Sequence, residues 1–382
     1  MKSNPIHVLA LALCLGGAVL TLAACGSGPE NAADAPALTD CPILSEEEFG
    51  GVYITRTIDE FNALGFQYGD SVDVTFSNGY TLEDLPYYNG YYTQNSQPLL
   101  VAYPGYPYIK AAINNGDDLW EVAGLTEEDT ATVTLSEAGK YLDIQQARDI
   151  HYEDDRARFD SDEAFANFRS IQAGNIAPDR IYRSASPCDN QHNRAPYVDR
   201  LMADAGVDFI LNLADTPEKI QGYLAGEDFD SPYFLSLYEA GKVAPLALNT
   251  NFLSPAFQSK LADGLNTMAQ SPGPYLIHCT EGKDRTGFVC MLLEALAGAG
   301  YEEIVEDYMI TYDNYYHITL QSDPDRYHTI VENVLDPMVR LVAGREDGDL
   351  DQIDLAAGAA DFLLGAGMTQ AEIDALLARI TG

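Results

Sequence analysis

The chain has 382 residues, which is long enough for two domains with their own hydrophobic cores. It carries 59 Asp and Glu residues against 21 Lys and Arg residues, a formal net charge of -38 at pH 7. This charge argues against nucleic acid as a partner, and a negatively charged membrane surface would repel most of the chain. Acidity of this kind suits solubility outside a cell, so a site for an anionic ligand must be a local positive spot.

Residues 1–25 have the pattern of a targeting segment. Lys2 supplies a positive start, and Ile6 to Leu22 form an apolar run of the length that the core of a signal peptide needs. The run ends in Leu-Ala-Ala-Cys, and this ending resembles the lipoprotein box of bacteria. The resemblance implies cleavage before Cys25, attachment of lipid to its sulfur, and a location at the extracytoplasmic face of the bacterial cell membrane. The alternative, an uncleaved membrane anchor, would place the rest of the chain on the same side.

Residues 26–40 are rich in Ala, Pro, Gly and acidic or amide residues, which is the composition of a flexible tether. Residues 41–145 predict a small mostly-β accessory domain, either a barrel or a sandwich. In its first clear strand, apolar residues alternate with polar ones from Val72 to Phe76, and the hairpin signal Asn78-Gly79 follows. Further runs separated by turn residues extend the same pattern: Leu99 to Tyr103, Leu119 to Val122 and Thr130 to Leu135.

Tyrosines crowd the β region between residues 87 and 108. One interpretation is an aromatic face that binds a partner or a glycan. The other is ordinary sheet packing, in which the rings are buried and the hydroxyl groups reach water. The partner of the accessory domain therefore stays open.

Residues 146–382 predict a second domain in which strands and helices alternate. Strands are expected at 180–184, 207–213, 243–248 and 274–277, with helices between them and a helical C-terminal end. This order is typical of an α/β fold with a mostly parallel central sheet flanked by helices.

One stretch of the second domain carries a distinct chemical pattern. After the apolar strand at 274–277, residues 278–287 read H-C-x-x-G-x-x-R-T-G, and an apolar helix follows. The main-chain N–H groups of such a turn can surround a phosphate dianion at the helix N-terminus. Gly282 permits the tight curvature, and Arg285 closes the ring with a planar fork that matches two phosphate oxygens.

The same positive field stabilises the thiolate form of Cys279, which would face the bound phosphate monoester. Attack on phosphorus would give a phospho-cysteine intermediate that water hydrolyses, a reaction that needs no metal and no cofactor. The Thr286 hydroxyl is expected to lie near the sulfur. The residues predicted to bind phosphate are Thr280, Glu281, Gly282, Lys283, Asp284, Arg285 and Thr286.

The pattern resembles the signature loop of cysteine-dependent protein tyrosine phosphatases. The dipeptide Lys283-Asp284 within it is similar to the bacterial branch of tyrosine and lipid phosphatases. Short elements at 182–184 (Tyr-Arg-Ser) and 368–373 resemble other parts of that branch. The likeness covers roughly residues 150–382, so it leaves the β region unexplained.

The resemblance implies Cys279 as the nucleophile, Arg285 as the phosphate clamp, and acceptance of phosphoinositides as well as phosphotyrosine, which is a dual specificity. Well-known members of the family also place a general acid on a Trp-Pro-Asp loop. That loop is absent here, because the only tryptophan is Trp120 in the β region. Two aspartates are candidates for protonating the leaving group instead: Asp215 and Asp284.

Each of the two aspartates has a structural alternative. Asp215 follows the strand at 207–213 and would face the same rim, but it could also cap the helix that begins near Pro217. Asp284 lies inside the loop, where it could instead hold Lys283 or Arg183 by a hydrogen bond. Both roles stay open for both residues.

Several side chains near the loop are second-tier candidates. Arg183 and Lys283 could contact the substrate phosphate or a lipid headgroup, and a surface salt bridge is the alternative for each. Glu281 would partly offset the positive charge of the loop. His278 is expected to brace the loop by a hydrogen bond rather than to act as a base.

The remaining cysteines have simpler expectations. Cys290 sits on the helix after the loop with apolar neighbours and is expected in the core. Cys41 and Cys188 could form a disulfide in an oxidising compartment, or they could be two free thiols. A redox partnership between Cys188 and Cys279 is a further option.

The main hypothesis is an extracytoplasmic, lipid-anchored cysteine phosphatase that acts on phosphotyrosine in proteins, with phosphoinositides left open as a further substrate. The first alternative is an inositol-polyphosphate phosphatase, although Glu281 and the acidic surface count against it. The second alternative is a non-catalytic surface protein that binds phosphorylated ligands.

Overall fold

The structure is a computed structural model that describes residues 35–382. The predicted targeting segment, the lipid-attachment residue Cys25 and most of the predicted tether lie outside the described residues. Within the described range, no helix has both the length and the apolar character that crossing a membrane requires. Residues Pro36–Gly382 form one compact unit.

The first part of this unit is a closed barrel. Its strands follow the spatial order β1-β2-β6-β5-β4-β3-β7, and of its neighbouring pairs β4 and β5 run parallel while the others run antiparallel. The strands are β1 Ala37–Ser45, β2 Val52–Ile54, β3 Ser71–Phe76, β4 Thr81–Tyr88, β5 Pro98–Val101, β6 Ile109–Ile113 and β7 Thr130–Glu137. Because β1 begins at Ala37, residues 37–40 belong to the barrel and not to the tether.

The barrel core follows from alternation along its strands. Val72, Val74 and Phe76 of β3 are buried in it, and the predicted turn at Asn78-Gly79 joins β3 to β4 in an antiparallel hairpin. The prediction that Leu119–Val122 continues the β pattern is wrong, because these residues form helix α2. The side chain of Asp118 accepts a hydrogen bond from the Trp120 N–H and starts that helix. An earlier short helix, α1, spans Ile58–Ala63.

The second part is an α/β layer that follows helix α3 (Leu142–Arg148). Its strands are β8 Arg169–Ser170, β9 Ile181–Ser184, β10 Phe209–Asn212, β11 Val243–Pro245 and β12 Tyr275–His278. Its helices are α4 Asp162–Ala166, α5 Ala195–Asp204, α6 Pro217–Leu224, α7 Pro232–Glu239, α8 Pro255–Ala269, α9 Asp284–Leu296, α10 Tyr301–Tyr316, α11 Pro324–Ile330, α12 Asp336–Ala343, α13 Leu355–Gly365 and α14 Gln370–Thr381. The predicted α/β class is confirmed.

The sheet of this layer places β12 at its centre. The strand order is β11-β10-β12-β9-β8, in which β11, β10, β12 and β9 are mutually parallel and β8 is antiparallel to β9. Neighbouring residues of β12 enter separate hydrophobic clusters: Ile277 packs with one and Leu276 with the other. A sheet covered on both faces requires apolar strands without polar alternation, which is the pattern that the sequence shows at 274–277.

The barrel and the α/β layer meet along α3 and the loops beside it. The Gln145 side chain on α3 exchanges hydrogen bonds with Asn89 at 3.2 and 2.8 Å. From the other part, the Arg326 guanidinium donates to the Gln146 carbonyl at 2.8 Å, and the Asn251 amide donates to the Asn115 carbonyl at 3.0 Å. These contacts fix the barrel beside the carboxyl end of β12, where parallel sheets bind ligands.

Candidate active site

The loop between β12 and α9 is an uncapped helix N-terminus. β12 ends at His278, α9 begins at Asp284, and no side chain caps the first turn of the helix. The main-chain N–H groups of residues 280–285 donate to no acceptor within residues 35–382. Because buried main-chain donors are nearly always paired, a run of such free donors indicates a place for an anion.

The carbonyl groups of the loop show which way these N–H groups point. The Cys279 carbonyl accepts from His278 Nδ1 at 3.1 Å, and the Thr280 carbonyl accepts from the Ser186 N–H at 3.0 Å. The Glu281 carbonyl accepts from the Tyr315 hydroxyl at 2.8 Å. In a trans peptide the carbonyl and the following N–H point in opposite directions. The following N–H groups therefore turn away from the scaffold, towards the inside of the loop.

The next peptide group is held by two donors at once. The Gly282 carbonyl accepts from Arg183 Nη2 at 3.1 Å and from Asn167 Nδ2 at 3.2 Å. This fixes the Lys283 N–H on the inner side in the same way. Gly282 itself has a φ of +69°, and a Cβ added there would lie 2.2 Å from the Ser184 carbonyl oxygen. Only glycine fits at this position.

A buried ionic cluster supports the loop from below. The Arg183 side chain is 1 % exposed and donates to Asp307 at 2.6 Å, and Arg169 donates to the same carboxylate at 3.0 Å. Burial alone would raise the pKa of Asp307, but the two guanidinium groups outweigh it and hold that pKa well below its usual range. The prediction of Arg183 as a substrate contact is therefore corrected: it is a buried brace that positions the Gly282 carbonyl.

Two further buried groups adjoin this cluster on α9. Burial, with the neighbouring charge of Asp307, raises the pKa of Glu294 well above its ordinary value. Burial also raises the pKa of Cys290, which is fully buried as the sequence predicts. A thiol in this state is a poor nucleophile, and Cys290 is a core residue.

Arg285 returns across the loop to its first residues. Its guanidinium donates to the Leu248 carbonyl at 3.0 Å and to the Thr280 hydroxyl at 3.3 Å. It thus reaches the residue next to Cys279, whose side chain is nearly buried. The Thr286 hydroxyl is buried and has no hydrogen-bond partner in the described part of the chain, so it makes no bond to the Cys279 sulfur here.

The side chains of Lys283 and Glu281 point to each other and to Tyr152. The Lys283 ammonium lies 2.8 Å from the Tyr152 hydroxyl and 3.6 Å from a Glu281 oxygen, and Tyr152 also donates to Glu281. Burial would lower the pKa of Lys283, but Asp284, Tyr152 and Glu281 outweigh it and raise that pKa well above its usual value. The ammonium is therefore a stable charge beside the loop.

The two candidate acids differ in exposure. Asp215 is fully buried, and its oxygens contact the Asn212 amide at 3.0 Å and the Lys219 ammonium at 3.1 Å. The cap of α6 is Thr216, so the capping role considered for Asp215 is not observed. Asp284 begins α9, and its side chain is 37 % exposed and 3.9 Å from the Lys283 ammonium.

Within residues 35–382, the cysteines outside the loop form no disulfide. Cys41 in the barrel and Cys188 in the α/β layer are both free and buried, so the disulfide considered from the sequence is not formed. Burial raises the pKa of Cys188 to about 12, and its sulfur lies 3.5 Å from the Ser186 hydroxyl. This environment favours the thiol over the reactive thiolate.

A family model described as the tyrosine phosphatase family matches residues 163–382, which is more than half of the chain. The chain belongs to the tyrosine phosphatase family. A tyrosine-protein phosphatase of Nostoc commune is 54% identical over 43 residues, a stretch that covers 11% of this chain and 15% of that protein. The crystal structure of the core catalytic domain of the PP-IP phosphatase SIW14 from S. cerevisiae, in complex with citrate, is 21% identical. That match covers 47% of this chain and 91% of that one, with a TM-score of 0.27.

Several residues that shape the loop of this tyrosine phosphatase family member were not found from the sequence: Asn167, Ser186, Tyr152, Tyr315 and Asp307. One of them left a signal. Asp307 follows Ile304 by three positions on α10, so a carboxylate falls on the apolar face of that helix. A charged side chain on a buried helix face requires a partner, and the basic residue of β9 was the available one.

Proposed function

We propose that this protein hydrolyses phosphate monoesters through a phospho-cysteine intermediate, with phosphotyrosine in proteins as the preferred substrate. The observation that carries the proposal is the loop of residues 279–285. Its carbonyl groups are held by the scaffold, its N–H groups face inward without acceptors, and Arg285 reaches back to Thr280. This arrangement suits the three equatorial oxygens of a phosphoryl group in the transition state.

The reaction has two steps. In the first, the Cys279 thiolate attacks phosphorus, the S–P bond forms, the P–O bond to the leaving group breaks, and the leaving oxygen takes a proton from a carboxylic acid. In the second, water attacks phosphorus and gives a proton to that carboxylate, and the S–P bond breaks to release phosphate and the thiolate. The protein supplies positioning and charge stabilisation in both steps.

We assign the acid role to Asp284. Its carboxyl group is part of the loop and partly exposed, whereas the carboxyl group of Asp215 is buried and already engaged by Asn212 and Lys219. The Lys283 ammonium at 3.9 Å would stabilise the Asp284 carboxylate after it has given up its proton. Asp215 would then act on the architecture of the rim and not on the leaving group.

The loop favours a singly phosphorylated substrate over an inositol polyphosphate. Carboxylates of Glu281 and Asp284 adjoin the cradle, and the whole chain is strongly acidic. Each additional phosphate on a ligand would meet this negative field. Phosphoinositides remain the second candidate, because Lys283 carries a stable positive charge beside the loop.

Replacement of the nucleophile tests the chemistry. We expect Cys279→Ser to abolish turnover of an aryl phosphate while phosphate still binds, because the hydroxyl is not ionised but the amides remain. Turnover would be followed by release of the aryl alcohol, and phosphate binding by calorimetry. A serine variant with full activity would reject the mechanism.

Two variants test the acid. Asp284→Asn should lower the rate more for a poor leaving group than for a good one, because only the poor one needs protonation. Asp215→Asn should lower both rates equally, if at all. The reverse pattern would transfer the acid role to Asp215. The ratio of kcat values on alkyl and nitrophenyl phosphates measures the difference.

We also propose lipid attachment at Cys25, with the catalytic part at the extracytoplasmic face of the membrane. The support is the sequence pattern that ends at Cys25. Cys25→Ser should move the protein from the membrane fraction to the soluble fraction of cells and remove incorporation of labelled fatty acid. A serine variant that still carries the label would contradict the site of attachment.

A further inference from the structure

A cavity of about 280 Å³ lies where the barrel meets the α/β layer. Asp284 of the phosphate loop is part of its wall, so the cavity begins where the loop ends. Residues from both parts of the unit line it, which means that it exists only because the barrel is fixed in this place. Its volume is close to the lower limit of known ligand pockets, roughly 300 Å³.

The two walls of the cavity differ in chemistry. Barrel loops supply hydroxyl and amide groups, among them Tyr92, Gln94 and Asn95, whereas the α/β layer supplies apolar side chains that include Phe252 and Met338. A ligand that fits both walls has a polar, hydrogen-bonding side and an apolar side. Polypeptide has this character, because main-chain groups pair with side-chain amides while apolar side chains pack on the opposite wall.

Arg148, the last residue of α3, adds a charge to this cavity. Its guanidinium stands 5.3 Å from the centre of the Tyr92 ring. The guanidinium forms no hydrogen bond and no salt bridge within residues 35–382, and the Asp284 carboxylate lines the same cavity. A half-buried guanidinium whose N–H donors have no hydrogen-bond partner in the described part of the chain is a place for an anionic group of a ligand.

We propose that this cavity is a subsite for the peptide next to the phosphorylated residue, and that Arg148 receives an acidic side chain of that peptide. The inference rests on the proposed function, since the phosphorylated residue itself is held by the loop. The substrate class is then an acidic phosphopeptide. The barrel then contributes to substrate binding, because it forms one wall of the subsite.

An inositol polyphosphate fits the same cavity poorly. It has no apolar surface to cover the wall that contains Phe252 and Met338, and it brings several charges to a single guanidinium beside the Asp284 carboxylate. Unpaired phosphates in such a place would be strongly unfavourable. An acidic peptide needs only one charge pair and leaves the remaining contacts to amides and apolar groups.

The test uses binding and turnover with matched phosphotyrosine peptides. One set carries a single Glu at each flanking position in turn, and the other carries Gln there. We expect the best Glu peptide to bind the Cys279→Ser protein about tenfold more tightly than its Gln partner, a preference of about one charge pair. Arg148→Gln should remove this preference, and Arg148→Lys should restore part of it. The matched control Arg345→Gln, an exposed arginine outside the cavity, should keep it.

Turnover measurements distinguish the phosphatase activity from the peptide subsite. If the wild-type protein hydrolyses an aryl phosphate, and Arg148→Gln lowers kcat/KM for the Glu peptide through KM by more than it lowers kcat/KM for the aryl phosphate, the subsite is supported. If aryl phosphate is not hydrolysed, the proposed function fails, and the binding measurement still decides the subsite. Equal binding of Glu and Gln peptides would overturn it, as would competition by inositol hexaphosphate that depends on Arg148.

Discussion

The barrel and the α/β layer each contain a buried ion pair of similar geometry, and the two pairs have different uses. In the barrel, Lys110 donates to Glu46 at 2.6 Å, with the two side chains 1 % and 8 % exposed. In the α/β layer, Arg183 donates to Asp307 at 2.6 Å, with the two side chains 1 % and 10 % exposed. The geometry and burial are nearly the same. The difference lies in what else each cation contacts.

The remaining contacts of the barrel pair lie within the barrel. The Glu46 carboxylate also accepts the Glu48 N–H at 2.8 Å, and the Lys110 ammonium lies 5.5 Å from the centre of the Tyr106 ring. Arg183 instead uses its second nitrogen to hold the Gly282 carbonyl. The buried pair of the barrel therefore contacts only its own region, whereas the buried pair of the α/β layer also orients the phosphate loop. Buried charges are weak evidence for stability alone, so their remaining contacts show their use.

The largest contrast is expected at two glycines with positive φ. Gly282→Ala would place a Cβ 2.2 Å from the Ser184 carbonyl oxygen, whereas Gly79 in the barrel hairpin has φ +91° and open space around it. Gly282→Ala should lower aryl phosphate turnover by roughly 10³-fold, because the N–H groups lose their common direction. Gly79→Ala should cost about 1 kcal/mol of stability and leave turnover unchanged. Equal turnover losses in both variants would contradict the local role of Gly282.

The ion pairs themselves give the next largest effect. Asp307→Asn and Glu46→Gln each leave a buried cation without its counter-charge, which should lower the free energy of unfolding by about 3–5 kcal/mol. Asp307→Asn should also lower kcat about tenfold at temperatures where the protein is folded, since the Gly282 carbonyl loses its support. Glu46→Gln should not. Denaturant unfolding and steady-state kinetics on the same preparations measure both quantities, and a kcat loss in the barrel variant would erase the contrast.

The comparison of the two ion pairs also shows which features can be predicted from the sequence. The loop could be predicted because its residues are contiguous and stand between an apolar strand and an apolar helix. The α/β class could be predicted for a similar reason, since its elements alternate along the chain. The bond between Arg183 and Asp307 joins residues 124 positions apart, and no local pattern specifies such a partner. For that reason the sequence suggests Arg183 as a candidate substrate contact, with a surface salt bridge as the alternative, and does not identify it as a buried brace.

The same limit appears in the barrel. The run Leu119–Val122 has only four residues, which is too short to distinguish a strand from a helical turn. The Asp118 side chain decides it, because it accepts the Trp120 N–H that begins the helix and is itself held by the Gly51 N–H at 2.6 Å. The cavity beside the phosphate loop is a third case. Its walls come from distant segments, and it depends on how the barrel docks.

Acid should weaken the α/β layer before it weakens the barrel. Residues 37–137 contain no histidine, whereas His278 is buried at the end of β12, where burial lowers its pKa to about 4. Its unfolded pKa is about 6.5, so the unfolded state binds the extra proton between these values. The free energy of unfolding should therefore fall as the pH drops from about 6.5 to about 4, by up to about 3 kcal/mol. The nearby carboxylates of Asp215 and Asp189 oppose the lowering of the His278 pKa, and the Arg285 guanidinium adds to that lowering.

The variant His278→Asn isolates that contribution. The asparagine amide keeps a donor for the Cys279 carbonyl but does not titrate in this range. Its unfolding free energy should change less between pH 7 and pH 4.5 than that of the wild-type protein, as measured by urea unfolding at a series of pH values. Parallel curves for the two proteins would show that His278 is not the titrating group.

The smallest expected effect distinguishes the orientation of the loop N–H groups from the stability of the fold most directly. Tyr315→Phe removes the hydroxyl that donates to the Glu281 carbonyl at 2.8 Å, and Tyr87→Phe removes a barrel hydroxyl that donates to Asn62 at 2.7 Å. Each loss should cost about 1 kcal/mol of stability, the usual net value of one hydrogen bond. Only Tyr315→Phe should also lower kcat, by about fivefold, because the Gly282 N–H is then free to turn away from the phosphoryl oxygens. Thermal unfolding and kcat on an aryl phosphate measure the pair. If both variants lose stability and neither loses kcat, the scaffold holds the loop together but does not aim its amides.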